Sequence, residues 1–155
     1  MSEKWQQHPF RDGIIAGFIG LPMLWMVQES VLRLALQNPP LLPNQIFVLC
    51  TIGALPGAVL GAGFFKALDA RRRGQRRAMK RTLMGSGAAV AIIILLLFAV
   101  VVLNEERQLP AQSFIWGYQV PVWVNFYLVP LLTRVFPFHC AVLMFFIGLF
   151  MRSGR

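Results

Sequence analysis

The stretch AVAIIILLLFAVVVL, residues 89–103, decides the fold class of this chain. It contains no polar or charged side chain, and with residues 82–88 it forms an apolar segment of 22 residues. A helix of that length, rising about 1.5 Å per residue, crosses the hydrocarbon core of a bilayer, which is about 30 Å thick. The stretch therefore predicts a membrane-spanning helix over residues 82–103.

The composition of the whole chain agrees with this prediction. Of its 155 residues, 57% are hydrophobic and 14% are charged, whereas a soluble domain has about 25% charged residues. The apolar residues also gather in long runs, which is typical of a chain whose solvent is lipid. We expect an all-α fold: a polytopic transmembrane helix bundle that forms a single domain over residues 1–155.

Residues 66–81, just before this span, carry eight of the 15 basic residues and one acidic residue. Short loops rich in Lys and Arg stay on the cytoplasmic side, so the segment predicts a cytoplasmic loop and a cytoplasmic N-terminus. The same cations favour anionic lipid headgroups, whereas no base-reading element accompanies them and no nucleic acid is expected. The residues predicted to set topology or to bind anionic lipid are Arg71, Arg72, Arg73, Arg76, Arg77, Lys80 and Arg81.

Two further apolar segments, residues 13–37 and 45–68, precede the basic segment and are separated by a proline-rich turn. Each predicts a spanning helix, and each carries glycines at four-residue spacing, which lie on one helix face and allow backbones to approach closely. The sequence leaves open whether the facing helix belongs to this chain or to a second protein. The glycines predicted to pack are Gly13, Gly17, Gly53, Gly57 and Gly61.

The last 40 residues allow two topologies. In the favoured one, the aromatic segment 112–120 lies in the outer interface and one long kinked helix over residues 121–151 makes the fourth span. This arrangement returns the terminal arginines to the inner side, as the positive-inside tendency requires. In the alternative, residues 113–133 and 135–151 cross separately and give five spans.

Three charged residues, Glu29, Arg33 and Arg134, lie within apolar segments. Arg33 follows Glu29 by four residues, so the two share a helix face, and the four-span arrangement places Arg134 at the same depth as Glu29. We therefore predict an intramembrane charge cluster that acts as a clasp between helices or as a proton or substrate site. Arginines favour the charged form of a carboxylate, which makes the clasp the stronger hypothesis.

Cys50, Cys140 and His139 are the remaining residues with chemistry to consider. Their spacing fits neither a disulfide framework nor a zinc site, so we expect buried thiols, a histidine satisfied within the bundle, no metal and no cofactor. The sequence contains no HExxH helix, paired catalytic carboxylates or Ser-His-Asp set. We expect a protein that is not an enzyme.

These features predict a non-enzymatic multi-pass protein of the bacterial inner membrane. Its expected role is that of an accessory or interaction component that works by helix–helix association, in a homo-oligomer or a larger membrane complex, with the bilayer and anionic headgroups as further partners. The alternative is a small ion- or proton-coupled transporter that uses Glu29, and a water-accessible cavity at that residue would favour it.

Overall fold

The structure is a computed structural model that describes residues 8–105, 112–115, 118–121, 124 and 128–151. Helices dominate these residues, and one short antiparallel hairpin accompanies them. The elements in chain order are α1 (Pro9–Ala35), α2 (Pro43–Arg72), α3 (Arg76–Glu105), β1 (Gln112–Ile115), β2 (Tyr118–Pro121), α4 (Val129–Arg134) and α5 (Phe136–Phe150).

The first three helices are long and apolar enough to cross a membrane. Their most apolar windows have mean hydropathies of 1.5, 2.0 and 2.6, and only 22%, 28% and 17% of the residues in those windows are buried inside the molecule. Most of the apolar side chains therefore face outward, which is favourable in lipid and costly in water. The prediction of a helical membrane protein is confirmed at this level.

The turn between α1 and α2 connects a helix end and a helix start that have different capping structures. Helix α1 continues through Pro22, as predicted, and ends in a Schellman motif in which Gln37 adopts the left-handed conformation with φ 54°. Helix α2 begins at Pro43, so a proline occupies its first turn. Proline suits that position because the missing N–H would have no helical partner there.

The segment 66–81, predicted to be a cytoplasmic loop, is mostly helical. Helix α2 runs to Arg72 and α3 begins at Arg76. Arginine is a good helix former, and its charge in the last turn of α2 complements the helix dipole. The turn itself is made by Gly74 with φ 70°, whose N–H donates to the carbonyl of Arg71 over 3.0 Å.

The C-terminal part differs from both predicted arrangements. Residues 112–121 contain aromatic and β-branched side chains that favour strands, and residues 112–115 pair antiparallel with residues 118–121 in the register Phe114 with Gln119. Helix α4 covers Val129–Arg134, and the helical path is interrupted at Val135. Pro137 lacks an N–H and restricts the residue before it, so a new helix starts there instead of continuing α4.

The long helices pack antiparallel, α1 with α2, α2 with α3, and α3 with α5. The start of α1, the end of α2, the start of α3 and the end of α5 therefore meet at one end of the bundle, called here the basic end because it carries residues 66–81. The opposite end holds the α1–α2 turn and α4. The buried core between the two ends consists of Leu21, Leu60, Ala67, Leu83, Val90, Ala141 and Met144.

Candidate functional site

The structure brings the three predicted charged residues together at the contact of α1 with α4. Arg33 Nε donates to Glu29 Oε1 over 3.1 Å, and Arg134 Nη1 lies 3.9 Å from the same oxygen. The Glu29 side chain is 9% exposed, that of Arg33 19% and that of Arg134 45%. One buried carboxylate thus compensates two guanidinium groups, and the cluster carries one excess positive charge.

Two neutral side chains of α1 fix α4 against this cluster. Trp25 Nε1 donates to the carbonyl of Arg134 over 2.7 Å, and Gln28 Nε2 donates to the carbonyl of Thr133 over 3.1 Å. These carbonyls lie in the last turn of α4, where no further helical N–H groups reach them. Sequence analysis did not single out Trp25 or Gln28. The sequence of α1 does not show which backbone carbonyls of a later helix will lack a helical partner.

The cluster lies near the end of α1 and not at its middle. Glu29 follows Pro9 by 20 residues, about 30 Å along the helix axis, and precedes Ala35 by six. The sequence analysis predicted a distance of about 24 Å between Glu29 and the inner end of the helix. It took residue 13 as the start of the first span, four residues after Pro9. Near the membrane boundary a charge costs less than at the bilayer centre, since water and headgroups come within reach of a long side chain.

A cavity of about 270 Å³ lies beside the cluster at this end of the bundle. Its walls combine charged, amide and aliphatic side chains from α1, the α1–α2 turn and the first turns of α2. Arg33 Nη1 also donates to the carbonyl of Pro39 over 3.1 Å and so ties the turn to α1. The lining residues are Glu29, Arg33, Leu41, Asn44, Gln45, Val48 and Leu49.

The predicted glycines form the seam between α1 and α2, so the facing helix belongs to this chain. A Cβ on Gly17 would overlap the carbonyl oxygen of Gly57, and one on Gly13 would lie 2.5 Å from the carbonyl oxygen of Gly61. Gly53 is different, because a Cβ there would meet the ring of Trp25 at 3.2 Å. Gly53 therefore leaves room for the indole.

The predicted basic residues do not act as one group. Arg73 pairs with Asp69 over 3.0 Å on the surface, whereas Lys80 Nζ donates to the carbonyls of Leu149 and Met151 over 3.3 and 3.4 Å. Lys80 therefore caps the end of α5, where a cation also complements the helix dipole. The exposed members of the set are Arg71, Arg72, Arg73, Arg76, Arg77 and Arg81.

Cys50 and Cys140 are free and half-buried, so the expectation that both thiols are fully buried is wrong. Both lie on helix faces that are only partly covered by neighbouring helices. His139 Nε2 donates to the carbonyl of Leu132 over 2.8 Å. The residues that the structure describes contain no group of three or more side chains suited to hold a metal ion.

Sequence reasoning missed the second small-residue seam, between α3 and α5. A Cβ on Gly87 would lie 2.5 Å from the carbonyl oxygen of Ala141, and one on Gly148 would lie 2.7 Å from Met84 Cγ. Ala141 and Gly148 are seven residues apart and share one helix face, which is the pattern that would have revealed this seam.

Comparison with protein-family models, with curated protein sequences and with solved structures finds no match to this chain. Its function has to be argued from its own residues.

Proposed function

We propose that this chain is a non-enzymatic multi-pass membrane protein that acts by helix–helix association as an accessory component of a membrane complex. The proposal rests on the contacts that the polar side chains of this protein make. Trp25, Gln28 and Lys80 each donate to backbone carbonyls of another helix, and Glu29 compensates arginines of α1 and α4. These groups connect helices instead of converging on a reacting centre.

The outward surface supports association in the membrane. Phe18, Leu55, Leu96 and Phe146 represent outward apolar positions on α1, α2, α3 and α5, with exposures of 50%, 73%, 62% and 45%. Arg134 adds a half-exposed cation to the face formed by α1 and α4. A lipid-facing surface that also holds a charge suits a partner helix with an acidic or amide side chain, because such contacts are favourable in hydrocarbon.

The orientation belongs to the same proposal. We place the basic end in the cytoplasm, because clustered Lys and Arg are retained there, and the plasma membrane of a bacterium is the proposed location. Helices α4 and α5 then return the chain to the inside and provide the fourth crossing. The contact between Arg134 and Glu29 supports this arrangement, since a five-span chain would place Arg134 at the inner surface.

Photo-crosslinking in intact membranes tests the association. A photoreactive residue is placed in turn at Phe18, Leu55, Leu96 and Phe146, one outward position on each long helix and on α5. We expect at least one position to give a discrete protein adduct, identified by mass spectrometry as a second copy or a partner, and the others to label lipid. Lipid adducts at all four positions, together with a monomer mass after mild solubilisation, would refute the proposal.

One observation favours a second candidate, a small ion- or proton-coupled transporter that uses Glu29. The cavity beside Glu29 and Arg33 gives this end of the bundle a polar recess. Two facts weigh against transport: the Glu29 carboxylate accepts a hydrogen bond from Arg33 over 3.1 Å, and the Gly17–Gly57 contact closes the α1–α2 seam farther along the helices.

Proton flux through vesicles reconstituted with the full-length protein separates the two candidates. A pH-sensitive dye inside the vesicles reports flux after a pH step. Transport predicts that Glu29→Gln lowers the flux at least tenfold and that Asp69→Asn, a surface carboxylate change, leaves it unchanged. Association predicts the same background flux for both variants and for empty vesicles.

A further inference from the structure

A feature of the molecule not used so far is a cavity of about 450 Å³ among α1, α2 and α3. It lies toward the basic end and opens to the surroundings of the bundle. The volume is within the range of about 300 to 1,000 Å³ that is typical of ligand sites. Its lining includes Ala62 and Lys66 of α2 and Arg81, Thr82, Gly85 and Ser86 of α3.

Lys66 and Arg81, the two cations that line this cavity, lie near the same end of the bundle because of their positions along α2 and α3. Lys66 follows Ala62 by four residues and Arg81 precedes Gly85 by four, so each cation shares a helix face with the small residues of the wall. Because α2 and α3 are antiparallel, both residues lie toward the basic end. Lys66 is six residues, about 9 Å, from the end of α2.

The rest of the wall offers little to a polar ligand. Thr82 Oγ1 donates to the carbonyl of Ala78 over 2.9 Å, and Ser86 Oγ donates to the carbonyl of Thr82 over 2.8 Å, so both hydroxyl protons are used within α3. Lys66 and Arg81 are exposed and form no ion pair with a carboxylate among the residues that the structure describes. The cavity is thus apolar along its length and cationic at its mouth.

We infer that this cavity binds one anionic phospholipid of the inner leaflet, with an acyl chain between α2 and α3 and the phosphate at Lys66 and Arg81. Long basic side chains near a helix end extend to the depth of the headgroups, where each contributes to the attraction of an anionic lipid. The open side of the cavity lets the second acyl chain remain in the bilayer. The inference does not depend on the proposed association with a partner.

Spin-labelled phosphatidylglycerol tests the charge requirement, with spin-labelled phosphatidylcholine as the neutral reference and the full-length protein in vesicles of phosphatidylcholine. Each cation contributes about fivefold in affinity, so we expect Lys66→Gln with Arg81→Gln to lower the preference for phosphatidylglycerol about 20-fold or more. The matched control, Arg72→Gln with Arg76→Gln, removes two charges outside the cavity and should change it less than twofold.

A second pair of variants tests the cavity without changing any charge. A Cβ on Gly85 meets nothing within 4 Å, so Gly85→Leu adds side-chain volume at the cavity wall. Gly20 is also open but lies outside the cavity, which makes Gly20→Leu the matched control. We expect Gly85→Leu to lower the binding of phosphatidylglycerol at least fivefold, and Gly20→Leu to leave it unchanged.

The two tests together decide the inference. It holds if both the cavity cations and the open cavity are needed and the two controls behave as the unchanged protein. It is overturned if Gly85→Leu keeps full preference, or if Arg72→Gln with Arg76→Gln loses as much preference as the cavity pair. The second result would mean that general surface charge attracts the lipid.

Discussion

Helix α2 packs against α1 and against α3 through small residues, and the first contact is closed whereas the second leaves a cavity beside it. Against α1, Gly57 meets Gly17 so closely that neither position has room for a Cβ. Against α3, Gly63 meets Ser86, while Gly85 faces open space that belongs to a cavity of about 450 Å³. The α1–α2 contact is thus closed where glycine faces glycine, whereas α2 and α3 meet at Gly63 and Ser86 and leave a cavity beside Gly85.

The physical reason lies in what surrounds each seam. Helices in lipid gain from van der Waals contact and not from leaving water, so a gap costs only the contacts it forgoes. Glycine opposite glycine brings the backbones of α1 and α2 together. Gly63 opposite Ser86 brings α2 and α3 together at one height only, and lipid is available to fill the open space at Gly85. Four predictions test this comparison, from the largest effect to the smallest.

The first prediction concerns Gly17, at the closest approach of α1 and α2. Gly17→Ala adds a Cβ that overlaps the carbonyl oxygen of Gly57, and backbone atoms cannot rotate away as a side chain can. Overpacking costs about 1 to 3 kcal/mol and occasionally more; an overlap with backbone lies at the upper end of that range, which exceeds the gain of about 1 kcal/mol from helix propensity. We expect a net loss of about 2 to 3 kcal/mol in unfolding experiments in detergent.

Gly20→Ala, on the same helix as Gly17, is the control, because a Cβ on Gly20 would meet nothing within 4 Å. Only the propensity gain remains there, so this variant should be as stable as the unchanged protein or slightly more stable. If Gly17→Ala were equally tolerated, the close contact between α1 and α2 would not exist.

The second prediction concerns Glu29, which holds α4 beside the end of the α1–α2 seam. Glu29→Gln keeps the shape of the side chain but leaves Arg33 and Arg134 without a compensating charge. Breaking a buried pair costs about 3 to 5 kcal/mol. Because Arg134 is half-exposed near the membrane boundary, we expect a smaller loss, about 2 kcal/mol, measured by the same unfolding experiment.

A double-mutant cycle checks whether the two residues interact directly. Glu29→Gln with Arg134→Gln removes the carboxylate together with one of its cations, so part of the loss should be recovered. Strictly additive losses would show that Glu29 stabilises the bundle without Arg134, and the clasp between α1 and α4 would be excluded.

The sequence predicts much of this arrangement, because the relevant features are local. The apolar run at residues 89–103 requires a long helix in lipid, and four-residue glycine spacing defines a packing face without knowledge of the partner. Counting residues along two helices was enough to propose that Glu29 and Arg134 share a depth. Their distance of 3.9 Å is a property of the folded chain.

What the sequence does not predict depends on the relative placement of several elements. Aromatic and β-branched residues suit a strand and an interfacial helix alike, so the pairing of Gln112–Ile115 with Tyr118–Pro121 could not be foreseen. The cavity at Lys66 and Arg81 needs three helices in position before it exists. No pattern within one helix records a space between helices.

The third prediction concerns Gly63, on the side of α2 that faces α3. A Cβ there would overlap Ser86 Oγ and lie 2.5 Å from Ser86 Cβ. The hydroxyl can rotate but the Cβ cannot, so α3 must shift, and a neighbouring cavity makes that shift cheaper than in the α1–α2 seam. We expect Gly63→Ala to cost about 1 kcal/mol net, and Gly63→Ala with Ser86→Gly to recover most of it.

The last prediction separates the two seams most directly, although its effect is the smallest. Gly85→Ala lies on α3 in the wall of the cavity, where a Cβ meets nothing within 4 Å. With no steric cost, the helix propensity of alanine decides the sign, and we expect a gain of about 0.5 to 1 kcal/mol. The measurement is made in detergent without added phospholipid, because a bound acyl chain would add a stabilisation that the new methyl group weakens. A loss comparable to that of Gly17→Ala would mean that α2 and α3 meet as closely as α1 and α2, leaving no cavity for a lipid.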